Sequence, residues 1–260
     1  MGQHFYKDLI IGDTSQVAKY MPREMIRVSS RYIPGWVYER EWDRVYICFA
    51  EQRTIYAETR EYRDAFYSVN VDKTLQCIRN IKSNKTIVFS TSELWNQVSG
   101  GICLNTPFCF KENYYTDSKL ILTRKCRETE KVIIAYPFNF NSIYRNENFL
   151  FGKIFSSLKT GTPIAIGNTH FYRDILHAKY VANTIVDLES DIIIGSGRLV
   201  YVNDYIRDLY KSMNLIYEKY VSENLVDVSE SRPVFWLDNK ERCYLYEDLL
   251  TDSVRDLKNE

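Results

Sequence analysis

Short apolar runs rich in valine and isoleucine recur along this chain, separated by segments with helical spacing. Each run has the length of a buried strand rather than that of a core helix. The runs occupy residues 8–11, 25–28, 44–50, 85–89, 132–136 and 191–194. Between them, segments such as 14–20 and 66–79 fit amphipathic helices, and a single further amphipathic helix is expected over 202–220. Strands that alternate with helices predict an α/β fold built on a parallel sheet.

The composition argues against several classes of protein. With 260 residues, 45% of them apolar, the chain can build one or two domains with a sizeable core. Its formal net charge is zero, which argues against a surface for nucleic acid or membrane. No apolar run is long enough to span a bilayer, and residues 1–8 lack a signal-peptide core. We therefore expect a cytoplasmic protein.

The cysteine pattern contains no C-x-x-C pair and no matching histidine partners. We therefore expect reduced thiols, mostly in the core, and no structural zinc. The six cysteines are Cys48, Cys77, Cys103, Cys109, Cys126 and Cys243.

A polar cluster, Ser-Thr-Ser-Glu at 90–93, directly follows the apolar run 85–89. Open α/β sheets place their chemistry at the carboxyl ends of strands. Tyr115 follows Glu93 by 22 positions and Lys119 follows Tyr115 by four, so on a helix both side chains would project from one face. A neighbouring ammonium favours the phenolate, which would make Tyr115 a general base. The pair alone also fits an ordinary solvated helix face.

The turn after the first apolar run reads Gly12-Asp-Thr-Ser15-Gln-Val-Ala18. A βα turn of this kind can seat a pyrophosphate at a helix N-terminus. In the dinucleotide-binding fingerprint a second glycine lets the backbone approach the phosphates, and Ser15 stands there in this chain. An ordinary βα turn therefore fits these residues as well as a cofactor site does.

The second apolar run is followed by Ser29-Ser30-Arg31 and by no acidic residue. An Asp or Glu there would bind the ribose 2′-hydroxyl of NAD, whereas an arginine among hydroxyls suits the 2′-phosphate of NADP. NADP is therefore favoured over NAD, and Arg31 also fits an ordinary surface residue. Only twelve residues (32–43) precede the next run, too few for a complete further helix–strand–helix.

The order Phe89-Ser-Thr-Ser-Glu-Leu94, then Tyr115 and Lys119, resembles the extended short-chain dehydrogenase/reductases, the NAD-dependent epimerase/dehydratase family. It is most similar to the GDP-mannose 4,6-dehydratase branch, whose own cluster reads STSEL. The resemblance implies a Rossmann-like, doubly wound parallel sheet with a smaller C-terminal substrate-binding lobe. The sheet would be abbreviated, because a helix and a strand are missing after Arg31. Residues 48–52 take the place of the family's loop under the nicotinamide ribose, and 66–79 match its next helix.

The C-terminal half carries further matches. Residues 137–154 resemble the dehydratases' FNHESPxRGxxFVTRKI, with isoleucine and asparagine replacing its proline and glycine, and residues 167–181 resemble GN…RDxxHAxDYV. Residues 231–233 match a late Arg-Pro pair. The resemblance implies contacts to a nucleotide diphosphate and its sugar from Asn139, Arg145, Lys153, Arg173 and Arg232. We expect Asp174 to orient a backbone group or Arg173, and His177 to play a structural role.

The implied domains are an NAD(P)-binding domain over 1–138, to which a strand from about 164–200 returns, and an interleaved nucleotide-sugar lobe over 139–260. The cofactor, NADP or NAD, is expected to contact Gly12, Thr14, Ser15, Gln16, Val17, Ser30, Arg31, Phe49, Ala50, Asn70, Tyr115 and Lys119.

The resemblance also implies a reaction that begins with oxidation at C4 of a hexose. Tyr115, ionised beside Lys119, takes the hydroxyl proton while hydride passes to the nicotinamide, and Thr91 holds that oxygen. Glu93 then removes the C5 proton and, with help from Ser92, water leaves C6. Glu93 also fits an exposed helix-start residue near a positive dipole end.

Three functions stay open. The first is an NADP-dependent nucleotide-sugar 4,6-dehydratase. The second is a 4-epimerase, decarboxylase or keto-sugar reductase on the same scaffold, and the third is a trimmed homologue that only binds. The expected partner is a GDP- or UDP-hexose, with neither nucleic acid nor membrane. A second copy could pair through the Tyr115 helix, where Leu120, Ile121 and Leu122 offer apolar surface.

Overall fold

The computed structural model describes residues 7–224, 233–238 and 244–259. Its strands are β1 Asp8–Ile11, β2 Ile26–Val28, β3 Glu41–Ile47, β4 Lys82–Phe89, β5 Gly100–Ile102, β6 Val132–Pro137, β7 Asn139–Asn141, β8 Ile164–Ile166, β9 Tyr172–Arg173, β10 Ile175–His177, β11 Ile192–Ile194, β12 Val200–Tyr201, β13 Val221–Glu223 and β14 Phe235–Leu237. Its α-helices are α1 Gln16–Tyr20, α2 Trp36–Glu39, α3 Arg63–Tyr67, α4 Thr74–Asn80, α5 Tyr114–Arg127, α6 Leu150–Thr160, α7 Ala178–Val186, α8 Val202–Ser212, α9 Tyr217–Tyr220 and α10 Tyr246–Asn259.

The core is a six-stranded sheet in the order β2-β1-β3-β4-β6-β11, with every neighbouring pair parallel. All six strands were predicted from the apolar runs. The residues of β1 and β6 are buried throughout, because helices cover both faces of a parallel sheet. The strand order reverses between β1 and β3, and a crevice at such a reversal is where doubly wound sheets bind ligands.

The abbreviation expected after Arg31 is confirmed. In the described residues, the stretch between β2 and β3 holds only the four-residue helix α2. The indole Nε1 of Trp42 donates to the Val37 carbonyl at 3.0 Å and fastens α2 to the start of β3. With no further strand beside it, β2 is an edge of the described sheet.

The predicted helix over 66–79 is confirmed, but its middle is a π-helical stretch. α3 runs into a π-helix over Ser68–Lys73 and then into α4. The wider turn presents Asn70, 1% exposed, toward the core rather than toward solvent.

The single amphipathic helix expected over 202–220 is wrong. α8 ends at Ser212, and a separate short helix, α9, begins at Tyr217. Asn214 adopts a left-handed conformation, φ 58°, which asparagine tolerates better than most residues and which stops an α-helix.

The C-terminal elements are tied to one another by buried polar contacts. Asp174 accepts hydrogen bonds from the backbone N–H groups of Ser196 (2.8 Å) and Gly197 (3.1 Å), so the expected backbone-orienting role is confirmed. His177 is fully buried, and its Nε2 lies 3.0 Å from Asp256 Oδ2 on α10. The structural role expected for His177 is therefore confirmed.

Several expectations about surfaces can be compared with the structure. Leu122 is 1% exposed and belongs to the core, so of the apolar trio on α5 only Leu120 and Ile121 reach the surface. Cys48, Cys77 and Cys126 are buried free thiols, whereas Cys103 and Cys109 are exposed. Across the described ranges, no helix is both long and apolar enough to cross a membrane. In the same ranges no group of His, Cys, Asp and Glu could hold a metal ion.

Candidate active site

A cleft of about 820 Å³ opens at the carboxyl ends of five strands of the central sheet: β1, β2, β3, β4 and β6. The structure brings most of the sequence-predicted site residues into its wall. These are Gly12, Thr14, Ser15, Gln16, Val17, Ser30, Arg31, Phe49, Ala50, Thr91, Ser92, Glu93, Tyr115, Lys119, Asn139, Arg145 and Arg173. Asn70 and Lys153 are not part of this wall, and Arg232 lies outside the described residues.

The turn after β1 needs glycine at its first position. Gly12 has φ +102°, and a Cβ there would lie 3.0 Å from the backbone carbon of Cys48. The Ser15 hydroxyl caps α1 by accepting from Ala18 N at 3.1 Å. Ser15 therefore replaces a glycine with a residue that stabilises the helix start, while Gly12 keeps the close approach between β1 and β3.

The polar cluster after β4 begins a short 3₁₀ turn, Ser92–Trp95, that faces the cleft. Thr91 caps this turn by accepting from Glu93 N at 3.2 Å. The Ser90 hydroxyl lies 2.8 Å from that of Thr123 on α5 and ties the cluster to the helix that carries Tyr115. Ser92 is buried and Glu93 is half-buried.

Tyr115 and Lys119 lie on α5, as predicted, and both line the cleft. Asn113 caps the helix start by accepting from Tyr115 N and Thr116 N at 3.0 Å each. Tyr115 is buried against Phe66, with ring centroids 6.1 Å apart. Capping and packing together fix the first turn of α5 at the cleft wall.

The prediction that the Lys119 ammonium favours the phenolate of Tyr115 is wrong. The Lys119 ammonium donates to the Phe89 carbonyl at 2.8 Å, and burial lowers the pKa of Lys119 to about 8. Burial is also the main influence on Tyr115 and raises its pKa to about 12, while a hydrogen bond with Thr91 and the charge of Arg145 lower it. Sequence spacing identified a cation on the same helix face, but the cation that acts on Tyr115 comes from another segment.

Arg145 reaches the cleft from the loop between β7 and α6. Its guanidinium donates to Gln52 Oε1 at 3.1 Å and stacks over the Phe149 ring, 3.9 Å from the centroid. Burial lowers the pKa of Arg145 to about 10, still far above neutrality. Arg173 on β9 lines the cleft as well, with its guanidinium 4.7 Å from the centroid of the Phe171 ring.

Lys153 is the substrate-binding prediction that the structure does not place in the cleft. It lies exposed on α6. The preceding Gly152 packs on the loop so closely that a Cβ would lie 2.0 Å from the Asn146 carbonyl oxygen. Because successive helix residues differ by about 100° in direction, Lys153 faces away from that loop.

Asn70 is a brace behind the cleft rather than part of its wall. Its Oδ1 accepts from Glu51 N at 2.8 Å, and its Nδ2 donates to the Glu51 carbonyl at 3.2 Å and to Ser118 Oγ at 3.1 Å. The side chain thus joins the loop after β3 to α5.

Replacing Asn70 with alanine is expected to lower the free energy of unfolding by about 2 kcal/mol, because partly buried backbone groups of Glu51 and the buried Ser118 hydroxyl lose a partner. Urea denaturation measures this change. Ser68→Ala is the matched control, since Ser68 is exposed on the same π-helical stretch and makes one long contact, 3.4 Å, to the Ala65 carbonyl. Equal stabilities for the two variants would contradict the bracing role.

No protein-family model matches the chain, and no curated protein matches it in sequence. Solved structures do match over almost its whole length. RMD from Pseudomonas aeruginosa complexed with NADPH is 14% identical, with a TM-score of 0.76 over 98% of this chain and 100% of that one. The UDP-N-acetylglucosamine 4-epimerase from Methanobrevibacter ruminantium in complex with UDP-N-acetylmuramic acid is 13% identical, with a TM-score of 0.76 over 97% and 98%.

The DesIV double mutant, a dTDP-glucose 4,6-dehydratase from Streptomyces venezuelae with NAD and DAU bound, is 17% identical, with a TM-score of 0.76 over 97% of each chain. The chain has the fold of the extended short-chain dehydrogenase/reductases. At this identity the likeness establishes the fold, and the abbreviated Rossmann-like sheet expected from the sequence is confirmed.

Burial of the Lys119 ammonium has a testable cost in the stability of the fold. We expect Lys119→Met to raise the free energy of unfolding at neutral pH by about 2 kcal/mol. The folded pKa of Lys119, about 8, lies below its ordinary value of 10.5. The buried ammonium therefore destabilises the folded state by the full amount below pH 8, and this destabilisation disappears as the pH rises to 10.5.

Urea denaturation across that window should show the gain from Lys119→Met shrinking as the pH rises. Lys125→Met is the control, because Lys125 lies on the same helix, is exposed and pairs with Glu128. Its effect should stay within about 0.5 kcal/mol. If the gain in unfolding free energy of Lys119→Met did not vary with pH, the conclusion that burial lowers the pKa of Lys119 would be contradicted.

Sequence reasoning missed several polar residues that the fold brings to the cleft. Lys111 pairs with Glu58 at 2.5 Å, and Gln52 holds Arg145. The side-chain Oδ1 of Asn96 accepts a hydrogen bond from the backbone N–H of Lys111 at 2.8 Å. These contacts join residues 15 to 93 positions apart, and no spacing rule connects such positions. The missed residues include Gln52, Glu58, Asn96, Lys111 and Asn113.

Proposed function

We propose that this protein is an NAD(P)-dependent nucleotide-sugar-modifying enzyme, and specifically a 4,6-dehydratase that acts through a 4-keto sugar nucleotide. The observation that carries the proposal is the convergence of Thr91, Glu93 and Tyr115 in one cleft at the carboxyl ends of the sheet. A hydroxyl, a carboxylate and a phenol from two separate segments meet there, and simple ketone reduction needs only the first and last of these.

The cleft's own residues fit a nicotinamide dinucleotide. The turn at Gly12 lines the cleft after β1, where a bound pyrophosphate would lie. Ser30 and Arg31 line the cleft after β2 and suit a 2′-phosphate, while Phe49 and Ala50 line it after β3. When bound there, the cofactor would supply reversible hydride transfer.

The chain's residues divide the proton chemistry between them. Tyr115 accepts the proton of the sugar's C4 hydroxyl, and Thr91, which hydrogen-bonds Tyr115, orients that hydroxyl. Arg145 favours the ionised phenol by charge. Glu93 removes the acidified C5 proton and delivers it, with help from Ser92, to the C6 hydroxyl, which departs as water.

The sugar nucleotide would lie against the C-terminal side of the cleft. Arg145 and Arg173 offer two guanidinium groups to a diphosphate, and Asn139 offers an amide. Since Arg145 is already stacked and hydrogen-bonded, its orientation is set before substrate arrives.

Incubation with GDP-, UDP- and dTDP-hexoses plus NADP or NAD tests the proposal. Loss of one water from a sugar nucleotide, detected by mass spectrometry, supports the dehydratase. Unchanged mass with inverted stereochemistry at C4 would instead select an epimerase. Absence of both turnover and nicotinamide binding would overturn the enzymatic proposal.

A further inference from the structure

Asn96 is a buried side chain that lines the cleft beside Glu93, and no sequence motif pointed to it. It caps the 3₁₀ turn Ser92–Trp95 and is 4% exposed. Its Oδ1 accepts from Lys111 N at 2.8 Å and, at 3.5 Å, from Gln97 Nε2. Because two donors point at this atom, it is the amide oxygen, and the other atom is the nitrogen. The Nδ2 group therefore faces Glu93 and donates to its Oε2 at 3.0 Å.

The segment that Asn96 holds on its other side leads into the Tyr115 helix. Thr116 Oγ1 donates to the Lys111 carbonyl at 3.0 Å, and Asn113 N donates to Thr116 Oγ1 at 3.1 Å. Asn113 in turn caps Tyr115. A continuous set of hydrogen bonds thus runs from the Glu93 carboxylate through Asn96 and Lys111 to the first turn of α5.

We infer that Asn96 is a positioning residue that sets the orientation of the Glu93 carboxylate relative to Tyr115. This inference rests on the proposed function, in which Glu93 and Tyr115 act on adjacent carbons of one sugar. Adjacent carbons require the two side chains to be placed to within a fraction of an ångström. A primary amide suits the task because it accepts from a backbone N–H on one side and donates to a carboxylate on the other.

The first test does not depend on activity. In Asn96→Asp the Lys111 contact survives, but a second carboxylate meets Glu93 at hydrogen-bond distance. Two carboxyl groups so placed share a proton. We expect this variant to hold one proton more than wild type in the neutral range, observed by NMR titration of ¹³C-labelled Asp and Glu carboxyl carbons. Adding Glu93→Gln restores an amide donor and should remove the extra proton.

Identical titrations for Asn96→Asp with and without Glu93→Gln would overturn the inference. The inference would also be overturned if the single variant and the double variant both titrated like the wild type. These measurements stand even if no sugar nucleotide is turned over, so failure of the proposed function and failure of the Asn96 contact give different results.

The second test separates the two steps of the reaction. In Asn96→Ala, single-turnover reduction of the nicotinamide should stay near the wild-type rate, while loss of water slows about ten- to a hundredfold. Asn84→Ala is the control, since Asn84 is an exposed asparagine outside the cleft wall whose Nδ2 donates to Asp43 Oδ1 at 3.3 Å, and it should leave both steps unchanged. Asn96→Ser provides a second variant should alanine reduce folding, which melting temperatures report. Equal slowing of both steps in folded variants would contradict selective positioning of Glu93.

Discussion

Tyr115→Phe is expected to lower kcat about a thousandfold on whichever sugar nucleotide the enzyme accepts. The phenol oxygen is the group that exchanges a proton with the C4 hydroxyl, and loss of a positioned acid–base group removes rate enhancement of this order. The ring itself should stay in place, because Phe66 packs against it edge to face. We therefore expect little change in melting temperature or in binding of the nicotinamide cofactor. Steady-state turnover and single-turnover reduction of the nicotinamide should fall together, since both follow from the same proton transfer.

Tyr114→Phe is the matched control for this substitution. Tyr114 is the preceding residue on α5, but it is not part of the cleft wall and packs with the Ala57, Phe66 and Tyr115 cluster instead. Its variant should keep the wild-type rate. If Tyr115→Phe retained more than about a tenth of wild-type turnover, Tyr115 could not be the base.

Glu93→Gln should separate oxidation from elimination. We expect reduction of the nicotinamide to proceed within about tenfold of the wild-type rate, while loss of water falls about a thousandfold, because an amide cannot accept the C5 proton. Glutamine keeps the size of the side chain and retains an oxygen for the Asn96 Nδ2 donor. A rapid-quench experiment read by mass spectrometry should show a 4-keto sugar nucleotide that has kept its C6 oxygen.

Glu112→Gln serves as the control, since Glu112 is an exposed carboxylate outside the cleft wall. Elimination of water at the wild-type rate in Glu93→Gln would contradict the dehydratase proposal. Full turnover with inversion at C4 in that variant would instead identify an epimerase, in which Glu93 has no proton to remove.

The elements with strong local patterns were predicted well. β1, β4 and β6 each contain a short run of Leu, Ile or Val, and α5 begins after an asparagine that caps it. Their hydrogen bonds and burial follow from neighbouring residues, so local pattern was enough. The helix expected over 202–220 failed because Asn214 takes a backbone conformation that periodicity does not report.

The candidate site was only partly predictable. Spacing placed Tyr115 and Lys119 on one face of a helix, but it could not show that the Phe89 carbonyl takes up the Lys119 ammonium. Lys153 was expected in the cleft and faces away from it, because the packing of Gly152 on Asn146 sets the rotation of α6.

The amino-acid sequence by itself determined the alternation of strands and helices, the shortened connection before β3, and the order in which Thr91, Glu93, Tyr115 and Lys119 follow one another. Those features depend on residues close together along the chain. Only the tertiary structure decided that Arg145 acts on Tyr115 and that Asn96 joins Glu93 to α5. Electrostatic coupling and hydrogen bonding depend on distance in space, and folding brings together partners that no interval along the chain connects.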